Sequence, residues 1–236
     1  MKAVLVGLCG AVTLGICSVV LVSLPVTEEV NIAAAAKVST VQVSAKKSPA
    51  QVRYTSAMSK AKKLSVKGRA PKTGYERSNF GSGWATVRGC DMRNRILARD
   101  LTKLKFKDSR KCVVISGVLN DQYTGKRINF VRGNRTSYKV QIDHVVARSD
   151  SWQKGAQKWP KVTRRAFAND PLNLLAADGP ANASKGDGAT ATWLPPTKKF
   201  RCPYVARQVE VKTKYKVWVT QAEQSAMVRV LKPCAG

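Results

Sequence analysis

The spacing of apolar and polar positions divides this chain into a short list of elements. An uncharged apolar run over residues 3–26 follows Lys2, and no sustained apolar period appears between residues 37 and 72. Over 91–103 the spacing is helical: Asp91 is a capping residue, and Ile96, Leu97, Leu101 and Leu104 recur on one face. Residues 113–119 and 127–131 read as two strands of a hairpin, with Tyr123-Thr124-Gly125 as a turn. The stretch 138–146 alternates with β-branched residues and predicts another strand, and 172–176 predicts a short return strand. Between them, 149–155 and 161–167 read as short helices separated by Trp159-Pro160. Asp178-Gly179-Pro180 combines a capping side chain with a first-turn proline, so a short helix starts there and ends near Gly186 or Gly188. Residues 204–215 and 221–231 form a helical pair, with Thr220 as a cap and Ala222, Ala226, Met227 and Val230 at core spacing. This mixture predicts an α+β fold.

The N-terminus has a different character. Lys2, the apolar run and the small residues 33–36 read as a secretory signal peptide over 1–36. The same run is long enough to serve as an uncleaved membrane anchor, which would add membrane association through the N-terminus. On either reading the rest of the chain is secreted or otherwise extracytoplasmic. Ten Lys+Arg and no acidic residue between 37 and 72 make 37–73 a basic flexible arm or a plain linker, with room for a short helix between Pro49 and Lys63. The folded domain is expected over 74–236, as a monomer.

Charge narrows the partners. The chain carries 42 Lys+Arg against 14 Asp+Glu, a formal net charge of +28, which favours polyanions such as nucleic acid. A non-catalytic cationic protein that binds DNA or the cell envelope explains the charge equally well. Cys9 and Cys17 leave with the signal peptide, and Cys90, Cys112, Cys202 and Cys234 remain. An even number in an exported chain reads as two disulfides, with three connectivities open. Cys90–Cys112 with Cys202–Cys234 is preferred, since each pair brackets one compact piece. A four-cysteine zinc site is the rival, and no Cys-x-x-Cys spacing supports it.

The candidate chemistry centres on Ile142-Asp143-His144-Val145-Val146. His144 is the chain's one histidine and follows a carboxylate. A phosphodiesterase needs a base for water, a cation at the phosphate and stabilisation of the leaving oxygen. His144 suits the base, because imidazole titrates near neutrality. Asp143 and the amide oxygen of Asn182 suit a hard divalent ion, magnesium or else manganese. Neighbours on a strand point to opposite faces, so Asp143 and His144 need a strand end or bend to share one phosphate. Lys185 lies one turn beyond Asn182 and would neutralise the phosphate, while Asn173 would hold the loop that orients His144. One histidine excludes paired-histidine mechanisms. Arg148, Lys154, Lys158, Arg164 and Arg165, with Arg93 further upstream, are candidate phosphate contacts. A solvated basic face is the plainer reading of them.

At these residues the chain resembles a known family. Asp-His-Val-Val, then Asn173, Asn182 and Lys185, is similar to the ββα-metal (HNH) nuclease core and to the nuclease lobe of RNA-guided CRISPR effectors. Over 75–234, Gly89-Cys90-Asp91, Arg99-Asp100-Leu101, Tyr123-Thr124-Gly125, Ala168-Asn169-Asp170-Pro171-Leu172-Asn173-Leu174 and Trp193-Leu194-Pro195 also resemble secreted bacterial HNH-family endonucleases. The resemblance implies a ββα-metal core with an added hairpin and C-terminal helices. It further implies His144 as general base, Asp143 and Asn182 as metal ligands, and Asn173 as the orienting residue. Ala147 departs from the proline common in the family. The long spacing filled by residues 152–167 leaves Asn169 as an alternative to Asn173. Nothing resembles a sequence-reading module, so DNA, or RNA in its place, would be bound through its backbone.

Overall fold

The structure is a computed structural model that describes residues 46–236. The expected signal peptide and residues 37–45 lie outside the described residues. The first element is helix α1 (Pro49–Lys63), closed at its start by a reciprocal capping box between Ser48 and Gln51 with proline in the first turn. Lys60, Lys62 and Lys63 occupy its last turn, where the helix dipole favours cations. Ala57 and Ala61, four residues apart on one face, are buried in one apolar cluster with Tyr204, Val209, Met227 and Leu231. Beyond the helix, Lys67 N donates to Val219 O at 2.9 Å and Ala70 N to Gln153 O at 2.9 Å. Residues 49–70 are therefore built into the fold, in place of the flexible arm expected up to residue 73. Two small side chains suffice, because they let a basic helix approach closely.

A two-residue hairpin, β1 (Thr86–Val87) and β2 (Cys90–Asp91), leads into α2 (Met92–Asp100). Asp91 caps α2 as expected, accepting from Asn94 N. The helix does not run to residue 103. It stops at Asp100, and β3 (Leu101–Phe106) pairs antiparallel with β4 (Val114–Asn120), Leu101 opposite Leu119. Leu101, Leu104 and Phe106 sit near enough to helical spacing to extend the periodicity of α2. Sheet pairing wins, aided by a register irregularity between Thr102 and Lys105, where Lys103 takes φ +51°. With β5 (Arg127–Val131) the expected hairpin becomes a three-stranded sheet of order β3-β4-β5.

The second sheet has two antiparallel strands, β6 (Val140–His144) and β7 (Leu174–Asp178), with Val140 opposite Asp178 and His144 opposite Leu174. Between them lie α3 (Arg148–Trp152) and α4 (Lys161–Ala168). Asp178 caps α5 (Gly179–Lys185) by accepting from Ala181 N at 2.9 Å. A Cβ on Gly179 would lie 2.1 Å from Tyr138 O, so only glycine lets α5 leave β7 at this angle. Helices α6 (Arg201–Tyr215) and α7 (Gln221–Ala235) complete the chain, the latter capped by Thr220 as expected. The disulfides are Cys90–Cys112 and Cys202–Cys234, the preferred pairing.

One expected surface residue is part of the interior. Lys154 is 1% exposed and pairs with Asp150 and Glu223, each at 2.6 Å. Lys212 bridges the same two carboxylates at 3.2 and 3.0 Å, and Arg69 pairs with Asp150 from outside. Lys154 thus ties α3 to α7 and touches no solvent-facing phosphate. A buried ammonium requires paired carboxylates, and Asp150 with Glu223 supply them.

Candidate active site

Strand β6 ends at His144, and a single side chain shapes the turn beyond it. Asn173 is wholly buried; its Oδ1 accepts from Val146 N at 2.8 Å, and its Nδ2 donates to Val146 O at 3.2 Å. Its backbone carbonyl accepts from Val145 N at 2.8 Å. The chain therefore bends as soon as it leaves the strand. That bend brings Asp143 and His144 to the wall of one cavity of about 510 Å3, although they are strand neighbours. Asn169 does something else: its Oδ1 accepts from Ala85 N at 2.8 Å and anchors the loop before β1.

His144 is 8% exposed. Its Nε2 lies 2.8 Å from Ala168 O, and a carbonyl only accepts, so Nε2 carries the hydrogen. In the neutral ring Nδ1 then keeps the lone pair. The Trp84 indole lies parallel to the imidazole, 5.8 Å between ring centres and 7° between planes. Burial and the charge of Arg148 pull the imidazole pKa down to about 4, outweighing the Ala168 bond and Asp143, which raise it. The ring is neutral at physiological pH, the form a base requires.

Both carboxylate oxygens of Asp143 are engaged. Tyr123 Oη donates to its Oδ2 at 2.5 Å, and Lys185 Nζ donates to its Oδ1 at 2.9 Å. Burial, and next the Asp143 charge, push the Tyr123 phenol well above its ordinary pKa, so it remains a donor. Lys185 also donates to His144 O at 2.9 Å and is buried. Expected to meet the phosphate, Lys185 instead neutralises Asp143, because a buried carboxylate attracts the nearest ammonium. The amide of Asn182 donates through Nδ2 to Gln141 Oε1 at 2.7 Å, which leaves its oxygen as an acceptor in the same cavity.

These groups define what a metal ion would meet. Among the described residues no cluster of three or more His, Cys, Asp or Glu is placed to hold one. Magnesium keeps several waters and takes one or two protein oxygens. Asn182 and the remaining lone pairs of Asp143 fit that requirement, although each Asp143 oxygen already accepts one hydrogen bond.

The basic candidates divide. Arg148 is half-buried and lines the cavity beside His144, together with Arg77. Lys158 and Arg165 are exposed. Arg164 is committed to the fold, donating to the carbonyls of Asn79 and Trp159 and lying over the Trp152 ring. Arg93 is half-buried and donates to Val140 O at 3.2 Å. Both guanidiniums brace backbone carbonyls of neighbouring segments. Four contributors escaped the sequence reading: Tyr123, Trp84, Arg77 and Gln141. Tyr123 reads as part of a turn, and Trp84 lies 60 residues upstream of His144. No spacing connects either to residues 143–144.

The family described as GmrSD restriction endonucleases, C-terminal domain, matches residues 91–230, which include His144, Asn173, Asn182 and Lys185. An "Uncharacterized secreted protein" of Arthroderma benhamiae is 35% identical over 174 residues, 72% of this chain and 81% of its own length. No solved structure matches. Two disulfides suit an extracytoplasmic location, in keeping with a relative named as secreted. Among the described residues no helix is long and apolar enough to cross a membrane. The match over more than half the chain supports the HNH-type endonuclease resemblance, and the protein belongs to the family of GmrSD restriction endonuclease C-terminal domains.

Proposed function

We propose that this protein is an exported, metal-dependent HNH-type endonuclease that hydrolyses phosphodiester bonds of nucleic acid, with β6, β7 and α5 as its ββα-metal core. The observation that carries the reading is the His144–Ala168 hydrogen bond. It assigns the hydrogen to Nε2 and leaves Nδ1 as the basic atom of a neutral imidazole, at the edge of a cavity holding Asn182, Asp143 and Arg148. His144 removes a proton from water at Nδ1 as the water attacks phosphorus. Arg148, with Arg77 beside it, attracts and orients the phosphate. Asn173 acts through the backbone, fixing the turn that presents His144. Asn182 and Asp143 would hold a magnesium or manganese ion, which supplies charge stabilisation for the departing oxygen. Lys185 pairs with Asp143 and positions it rather than meeting the phosphate. Products carry 5′-phosphate and 3′-hydroxyl ends. DNA is the favoured substrate, and recognition through the backbone makes binding strongly salt-dependent.

The test is cleavage of plasmid DNA by the oxidised protein with magnesium or manganese, against EDTA and His144→Ala. Metal-dependent cutting that is lost in His144→Ala while DNA binding persists supports the reading. Undiminished cutting by that variant refutes His144 as the base. Tight binding without cutting in any ion identifies a non-catalytic cationic binder instead.

A further inference from the structure

His144 stands between two cavities, and only one has the character of a metal and phosphate site. The second, about 370 Å3, opens on the side away from Asn182 and is walled by Gly81, Ser82, Gly83, Trp84 and Ala168. Arg77, His144 and Arg148 line both. The contrast in lining is chemical. The lining of the first cavity includes the acidic residues Asp143 and Asp187, whereas that of the second includes no acidic residue and consists, beside the shared residues, of Trp84, two glycines, Ala168 and two serines, of which Ser78 donates its hydroxyl to Glu76. Gly81 and Gly83 have φ of +99° and +70°, so the loop lies open without side chains. It is not loosely attached: Gly81 N donates to Ser78 O at 2.8 Å, and Ala85 N to the Asn169 side chain at 2.8 Å.

We propose that this second cavity is a subsite for an unpaired nucleobase next to the scissile phosphate, so that the enzyme acts preferentially on single-stranded or locally opened nucleic acid. The inference rests on the reading that the site takes a phosphodiester. A phosphate held between Arg77, Arg148 and His144 has its own nucleoside within reach of the second cavity. The cavity is sized for one small ligand, with an aromatic wall for the base and hydroxyls for its edge. In a duplex each base is stacked between neighbours and paired across the helix, and cannot turn into a cavity without first being extruded. The shared arginines would serve either kind of strand; Trp84 and the glycine loop serve only an unpaired base.

The experiment is binding of a labelled oligonucleotide, single-stranded or annealed to its complement, measured in EDTA over a series of salt concentrations. Wild-type protein is compared with Ser82→Trp, which fills the cavity from an exposed position, and with Trp84→Leu, which removes the aromatic wall. Thermal unfolding of each variant verifies that it is folded. The proposal expects both variants to bind the single strand about 5- to 150-fold more weakly, the range of one lost base–aromatic contact. The salt dependence should stay at the wild-type slope, since neither change alters charge. It also expects the strand preference in cleavage to shrink in parallel. Equal weakening toward both strand forms, or no weakening in Ser82→Trp, overturns it. Wild-type protein that cuts nothing overturns the nuclease reading, and the EDTA titration then decides the subsite by itself.

Discussion

Tyr123→Phe offers the sharpest test of how Asp143 is held. The change removes one oxygen and leaves the ring in its packing against Trp193, Phe200 and Tyr204. The lost interaction is a buried hydrogen bond of 2.5 Å to a carboxylate, and bonds to charged groups contribute about 1.5–3 kcal/mol. Lys185 remains on the other oxygen, so the carboxylate is not stranded and the lower half of that range applies, about 2 kcal/mol. For a domain of this size, melting should fall by about 4–8 °C. Urea unfolding by fluorescence provides the free energy, with Asp143→Asn and the double variant completing a cycle. If the phenol acts through Asp143, the two substitutions are non-additive by about 0.5–3 kcal/mol. A loss of under about 0.5 kcal/mol, or strict additivity, refutes the claim that Tyr123 positions Asp143.

The interior supplies two more tests. Burial raises the Asp150 carboxyl, but Lys212 and then Lys154 outweigh it and hold its pKa at about 2, below the ordinary 3.8. The unfolded chain therefore takes up this proton first, and stability of about 2 kcal/mol, intact above pH 4, is lost as pH falls toward 2. Acid titration of the unfolding free energy checks it, and Asp150→Asn should flatten this part of the profile. The disulfides close loops of 22 and 32 residues, so breaking either by paired Cys→Ser substitution should cost about 3–4 kcal/mol in chemical denaturation.

Much of the framework is local, and local features are legible in a sequence. The caps at Asp91, Asp178 and Thr220 act within three residues of themselves, and each forms as read. The alternation leading to His144 predicts β6 because strand periodicity is a property of neighbours. The disulfide pairing is the one preferred from the segments the cysteines bracket, out of three connectivities that the sequence leaves open. The turn-holding residue is legible only as Asn169 or Asn173, and the bonds of Asn173 to Val146, 27 residues away, are what separate them.

Charge alone does not reveal a role that burial decides. A lysine written next to arginines looks like a phosphate contact whether it faces solvent or not. Lys154 meets Glu223, 69 residues away, and Lys185 meets Asp143, 42 residues away. The basic segment before residue 74 reads as an arm or linker with room for a short helix, and only the structure packs that helix, because two alanines carry little apolar signal until α6 and α7 offer a surface that fits them. At residues 101–106 a strand and a helix both satisfy the spacing of leucines, and only β4 resolves the choice. The sequence thus determined the chemical parts of this protein and their order, because caps, turns, periodicity and residue type are short-range properties. The tertiary structure alone decided which charges are free, which carboxylate is already neutralised and what stands on each side of His144. Those depend on pairings across tens of residues, where the cost of burying an unpaired charge selects the partner.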